Sequence, residues 1–148
     1  MGAHSAGFSK AWHNLVLMPA SQRIVQVCLF LVAAIALLGG TLQLALGQPG
    51  TTPRLDNVHR FMAGVYFSTG LINLWAGLTI RRQGTLVYLL AFGVLMAGVG
   101  RLVSITRVGL PEPAAVWLGY LIPELLLPVI IAVAHRVRPR VAAEPAPG

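Results

Sequence analysis

Residues 24–46 read IVQVCLFLVAAIALLGGTLQLAL, a run with no charged side chain and with its two amides, Gln26 and Gln43, close to its ends. About 20 such residues in a helix, rising 1.5 Å each, cross the hydrocarbon of a bilayer, so this segment is long enough to span one. The apolar region of a secretory signal usually covers only about 7–15 residues, and the longer run here is expected to be retained.

Working outward from this run, Gln48 to Pro53 brings two prolines and a glycine, which break a helix and make a short connection. Asp56 or Asn57 can then cap a second helix, the carboxylate also suiting the positive end of the helix dipole. Arg81 to Gly84 reads as a tight turn with Thr85 as the next cap, and Gly109 to Pro113 as the last connection. The expected fold is all-α: an integral membrane bundle of four transmembrane helices at about 24–46, 57–80, 85–105 and 114–134. Around this domain, taken as residues 23–135, lie a tail over 1–22 and a basic, then Ala/Pro-rich tail over 136–148. Within the first tail, Phe8 to Met18, with Lys10 and Trp12, suits a membrane surface, and the last residues have a disorder-prone composition.

Composition agrees. Of 148 residues, 56% are hydrophobic and only 10% charged, against roughly a quarter charged in soluble proteins. So few charges cannot cover a water-soluble surface. The net charge of +7 does not point to nucleic acid, because the basic residues sit in short groups between apolar runs rather than in a stripe facing phosphates. They suit topological signals and anionic headgroups, so membrane lipids are the expected partners. A single cysteine, Cys28, excludes an internal disulfide or a CxxC redox or zinc pair; it reads as a small packed or lipid-facing side chain, with acylation a weaker reading.

Lys and Arg also orient the bundle. The side with both ends and the second connection holds Lys10, Arg23, Arg81, Arg82, Arg136, Arg138 and Arg140; the other holds Arg54, Arg60, Arg101 and Arg107. The positive-inside rule puts both termini in the cytoplasm.

Against this background a few charges stand out. Glu124 lies within an apolar helix about ten residues, or about 15 Å, from its start, and a bare charge near the bilayer centre costs roughly 2.5–3.5 kcal/mol. Arg101 on the third helix can reach it, beside a face of Gly93, Ala97, Gly100 and Ser104 small enough for close helix approach. On the second helix Asp56, Arg60, Gly64 and Ser68 follow at intervals of four, with His59 one position round. Asp56, Arg60, Arg101 and Glu124 are therefore expected to converge in the outer half of the bundle. Pro123 and Pro128 predict a bent, hydrated helix around the acid. Asn73, with Tyr66, Gly70 and Gly77, marks a second packing face, and Trp117 and Tyr120 read as interface or packing aromatics.

Such a cluster of Asp56, His59, Arg60, Arg101, Ser104 and Glu124 can fix helix register, hold a polar or lipid headgroup, or pass protons through Glu124 and His59. Two carboxylates and a histidine at irregular spacing do not make a metal site. Nucleotide-binding loops, nucleophile elbows and HExxH are missing from the sequence, and neither a catalytic residue nor a cofactor is expected.

The stretches Asn57 to Tyr66, containing RF-x-x-G, and Gly98 to Ser104, containing G-x-x-R-x-x-S, followed by Pro111, Glu124 and Pro128, resemble the small four-helix bacterial membrane proteins of the domain of unknown function 4345 family. The likeness covers Ile24 to Ala134. It implies four helices in a bacterial inner membrane and joint action of Arg60, Arg101 and Glu124, but no activity, substrate or cofactor. The resulting expectation is a non-enzymatic membrane protein whose Arg/Glu cluster locks the bundle or binds a headgroup. One rival is a small transporter subunit, which needs a homo-oligomer or a membrane-protein partner to make a path. Another is a membrane enzyme using Glu124 as acid or base on a lipid-soluble substrate, which a close Arg101 contact would oppose.

Overall fold

The computed structural model describes residues 18–47 and 50–137. The expected surface stretch over 8–17 and the tail from 138 lie outside them. Helix α1 covers Ala20–Leu46, α2 Pro53–Leu78, α3 Thr85–Val108 and α4 Ala114–Arg136, with a 3₁₀ turn at Ile80–Arg82 between α2 and α3. Each of the four helices is long and apolar enough to cross a membrane, and the described residues contain no strand. Large apolar side chains such as Leu38, Phe61, Phe92 and Leu126 are more than half exposed on the outside, a surface suited to hydrocarbon rather than water.

The helix starts differ from expectation in instructive ways. Thr52, not Asp56 or Asn57, caps α2: its hydroxyl accepts from the Leu55 N–H at 3.3 Å and Pro53 takes the first helical position, where a missing N–H costs nothing. Thr85 is inside α3, which starts from Gly84 without a side-chain cap. The Glu112 carboxylate accepts from the Ala114 N–H at 3.1 Å and so serves the start of α4.

Helix α1 packs along α2 and also against α4, α3 packs on α4, and α2 and α3 scarcely touch. Around the bundle the order is therefore α2, α1, α4, α3, with a gap between the first and the last. Glycines set the α1–α2 distance. A Cβ at Gly40 would lie 2.9 Å from the Phe67 amide nitrogen and 3.0 Å from the Ala63 carbonyl oxygen, one at Gly70 would lie 3.0 Å from the Leu37 amide nitrogen, and Gly77 makes room for the Phe30 ring. Gln26 Nε2 donates across the same helix pair to the Gly77 carbonyl at 2.9 Å. Asn73, on the same face of α2, is fully buried, its amide donating to the Thr69 carbonyl. Without a hydrophobic effect between helices in lipid, such close contact is what holds membrane helices together.

The main cluster of buried apolar residues lies at the end holding the 3₁₀ turn. There Val25, Cys28 and Leu29 of α1 meet Ala76, Ile80, Val87, Leu90, Ala91 and Ile131. Cys28 is therefore a packed core residue, not a lipid-facing one. Gly40→Val should lower thermal stability in detergent by about 1–3 kcal/mol, the range for overpacking. Gly64→Ala, where a Cβ meets nothing within 4 Å, should leave it unchanged or slightly raised; thermal melts of both variants check this.

Candidate functional site

Arg101 on α3 and Glu124 on α4 form an ion pair, Arg101 Nε donating to Glu124 Oε2 at 2.6 Å. The backbone contact that allows it is made by Gly98, three residues before Arg101 and on the same face of α3. A Cβ there would stand 3.2 Å from Glu124 Cβ and 2.9 Å from Leu125 Cδ2. The small face of Gly93, Ala97, Gly100 and Ser104 does not make this contact: a Cβ at Gly93 or Gly100 meets nothing within 4 Å, and Ala97 and Ser104 are exposed. The close approach is one step round the helix, at the glycine that opens the G-x-x-R-x-x-S stretch.

Trp117, Tyr120 and Glu124 follow at intervals of three and four along one side of α4. The Arg101 guanidinium carbon lies 5.3 Å from the Tyr120 ring centroid and 5.8 Å from that of Trp117. The two partly buried rings therefore hold the cation, an attraction of about 0.5–2 kcal/mol at each good face. The sequence reads them as interface or packing aromatics without linking them to Arg101; their register with Glu124 is the available signal.

Asp56 and Arg60 do not join this pair. Arg60 Nε donates to Asp56 Oδ2 at 2.8 Å, one turn away on α2, and Arg60 Nη1 donates to the Leu44 carbonyl at 2.6 Å. Leu44 lies in the last turn of α1, whose carbonyls have no partner within the helix, and a cation there also meets the negative end of the helix dipole. Gly47 lies under the guanidinium at φ +61°, where a Cβ would come within 2.6 Å of Arg60 Nη2; conformation and space both call for glycine. The expected four-charge cluster is thus two separate pairs, one latching the α1–α2 connection and one joining α3 to α4. His59 is partly buried with Nδ1 enclosed and unbonded. Neither it nor Ser104 makes a hydrogen bond to either pair among the described residues. Among those residues, too, no three His, Cys, Asp or Glu side chains gather closely enough for a metal ion.

Beside the Arg101–Glu124 pair is a cavity of about 250 Å³ at mid-length of the bundle. Ile35 and Ala36 of α1 form its back, Tyr66 of α2 and Tyr120 and Glu124 of α4 line it, and Met62, Val65, Gly93 and Ala97 flank the gap between α2 and α3. Those last four are exposed, so the cavity opens sideways between the two helices that fail to meet. Its wall is almost wholly carbon. Glu124 is 5% exposed, and while Oε2 bonds to Arg101, Oε1 is buried without any partner. Helix α4 runs unbroken through Pro123 and Pro128; the prolines deny the carbonyls of Gly119 and Glu124 their usual donors.

Fold and site together define a class: a small four-helix bundle with membrane-length apolar helices, an interhelical ion pair at mid-length and a side-opening apolar cavity. The chain belongs to the domain of unknown function family DUF4345, whose pattern matches residues 22–135. No curated protein and no solved structure matches it.

Removing Arg101 alone strands a buried carboxylate. Arg101→Leu should cost about 3 kcal/mol, the low end for a broken buried pair, since the Arg101 side chain keeps 30% exposure. Arg101→Leu with Glu124→Leu should recover most of that loss; comparing the thermal melts of the single and double variants measures it.

Proposed function

We propose that this chain is a non-enzymatic, four-span protein of a bacterial inner membrane, with both ends in the cytoplasm, that holds a small amphiphilic membrane molecule in its central cavity. The observation that carries this reading is the cavity itself, apolar, open toward the lipid side between α2 and α3, and bounded by one buried carboxylate. A bundle that needed the ion pair only for register would gain nothing from a void, since close packing is the ordinary state of a core. The buried apolar cluster at the 3₁₀-turn end supports the same division, with one half of the bundle for stability and the other for binding.

The orientation rests on the excess of Arg and Lys at the end with the 3₁₀ turn and both chain ends, where Arg81, Arg82 and Arg136 are exposed. At that depth in α4, Glu124 lies near the middle of the bilayer and Arg101 reaches it from the outer third of α3. Membrane lipids are then both the surroundings and the source of the ligand. An acid–base role on a lipid-soluble substrate is disfavoured by the 2.6 Å contact that commits Oε2 to Arg101.

Native mass spectrometry of gently extracted protein tests the binding. Wild type should carry a defined small molecule, and Arg101→Leu/Glu124→Leu, which stays folded, should lose it. If wild type carries nothing, the pair serves only to hold the helices and the binding role is wrong. For topology, green fluorescent protein fused to the C-terminus should fluoresce in cells and alkaline phosphatase fused there should stay inactive; the opposite pattern inverts the orientation.

A further inference from the structure

We infer that the cavity takes an uncharged lipid-soluble carbonyl compound, its oxygen accepting from the Tyr66 and Tyr120 hydroxyls and its chain leaving between α2 and α3. The inference rests on the reading that the cavity binds an amphiphile, and names the chemistry of its head.

Four polar side chains belong to the lining, and two of them are already committed. Glu124 Oε2 is held by Arg101 at 2.6 Å, and Oε1 is enclosed by protein so that not even water touches it. Thr69 turns its hydrogen to the Val65 carbonyl at 2.9 Å. The tyrosines differ. Tyr66 lines the cavity from α2 and Tyr120 from α4. Among the described residues neither hydroxyl makes a hydrogen bond, and neither oxygen is sealed in as Oε1 is. The two also belong to one group, since Tyr66 lies within electrostatic reach of Tyr120, Glu124 and Arg101.

A phenol has one hydrogen to donate. Two phenols therefore bring two donors to a space walled almost wholly by carbon, where a polar group without a partner is costly. No carboxylate oxygen in the wall is open to them, so the acceptor comes from the ligand. A carbonyl oxygen meets the need: it offers two lone pairs in one plane and brings no hydrogen of its own. An alcohol reaches the same balance only if a phenol oxygen accepts in turn, which it does poorly because its lone pair is drawn into the ring. A carboxylate or an ammonium would add a charge that the neutral Arg101–Glu124 pair does not balance. Arg101 strengthens one donor as well. Its guanidinium carbon lies 5.3 Å from the Tyr120 ring centroid, and a cation at the ring draws electron density from the hydroxyl.

The volume of about 250 Å³ equals that of about eight water molecules in the liquid at ~30 Å³ each. That is room for a carbonyl and the first several carbons, with an exit for the chain past Met62 and Ala97, both exposed at the gap between the helices. A phospholipid ester would have to pull its charged head into hydrocarbon to bring its carbonyl to mid-length of the bundle.

Two kinds of variant separate the head from the cavity. Tyr66→Phe and Tyr120→Phe remove only hydroxyls and keep both rings, so the single and double variants should melt near wild type. Gly93 lines the cavity, and a Cβ added there meets nothing within 4 Å. Glycine inside a helix is also less stable than a residue with a side chain. Gly93→Leu should therefore fill the void while its melting temperature stays the same or rises.

The experiment offers full-length protein in lipid nanodiscs 2-tridecanone, its isosteric alkene 2-methyl-1-tridecene and 2-tridecanol, alone and in equimolar mixture, and reads occupancy by native mass spectrometry. Wild type should bind the ketone at least about tenfold better than the alkene, the scale of one to two hydrogen bonds, with the alcohol between them. Each single Phe variant should lose part of that preference and the double variant all of it, while Gly93→Leu should bind none of the three. Equal binding of ketone and alkene in wild type, or a ketone preference that survives in the Phe variants, would overturn the assignment of the head and, where Gly93→Leu still blocks binding, leave the cavity's role standing. Alcohol bound better than ketone would overturn it in favour of a head that donates. Binding unaffected by Gly93→Leu, or no binding of any probe, would overturn both.

Discussion

A carboxylate placed halfway along an apolar helix is the constraint from which the rest of the arrangement follows. Glu124 is the eleventh residue of the 23-residue α4, which puts it about 15 Å or more along the helix from either end. Its charge needs a partner on a neighbouring helix, and Arg101 supplies one from α3. That pairing needs α3 and α4 close together, which Gly98 permits, and it needs the guanidinium held at that depth, which Tyr120 and Trp117 assist. The α3–α4 hairpin is thus joined by a charge contact set in a tight helix crossing.

The α1–α2 hairpin is held differently. Here glycines at 40 and 70 bring backbones together, Gly77 admits the Phe30 ring, and the Asp56–Arg60 pair stays at the end where it closes off the last turn of α1. Because α1 alone carries most of the contact between the hairpins, through α4, the far sides of α2 and α3 do not close. The cavity is the geometric consequence. It lies where the hairpins diverge, and the residue that most needs a polar neighbour forms part of its wall.

The helices were legible in the sequence because apolar length is a strong signal, and Glu124 was legible because a charge inside such a run has few explanations. Alternating helix direction and depth made Arg101 a possible partner, but the residues alone left open whether Arg101, Arg60 or both would take the carboxylate, and the structure gives it to Arg101. What could not be read was which way Arg60 turns. The i+4 stripe of Asp56 and Arg60 is compatible with pointing into the bundle or back to the end of α1, and the open carbonyls at Leu44, invisible in a list of residue types, decide it. The choice between Gly98 and the Gly93 to Ser104 stripe was hidden for a similar reason: α3 offers small residues on two sides, and only the position of α4 says which is used. The cavity depends on α2 and α3 failing to touch, a property of the whole packing order that no local pattern encodes. Thr52 as the α2 cap, by contrast, was available from the Thr-Pro pair at the helix start.

The most direct measurement is the ¹⁵N–¹³C dipolar coupling between Arg101 Nε and the Glu124 carboxyl carbon, by solid-state nuclear magnetic resonance on the protein in lipid bilayers. A directly hydrogen-bonded pair, with Nε 2.6 Å from the carboxylate oxygen, predicts a strong coupling that disappears in Arg101→Leu. A wild-type spectrum without measurable coupling would place the two groups apart and contradict the structure's central contact.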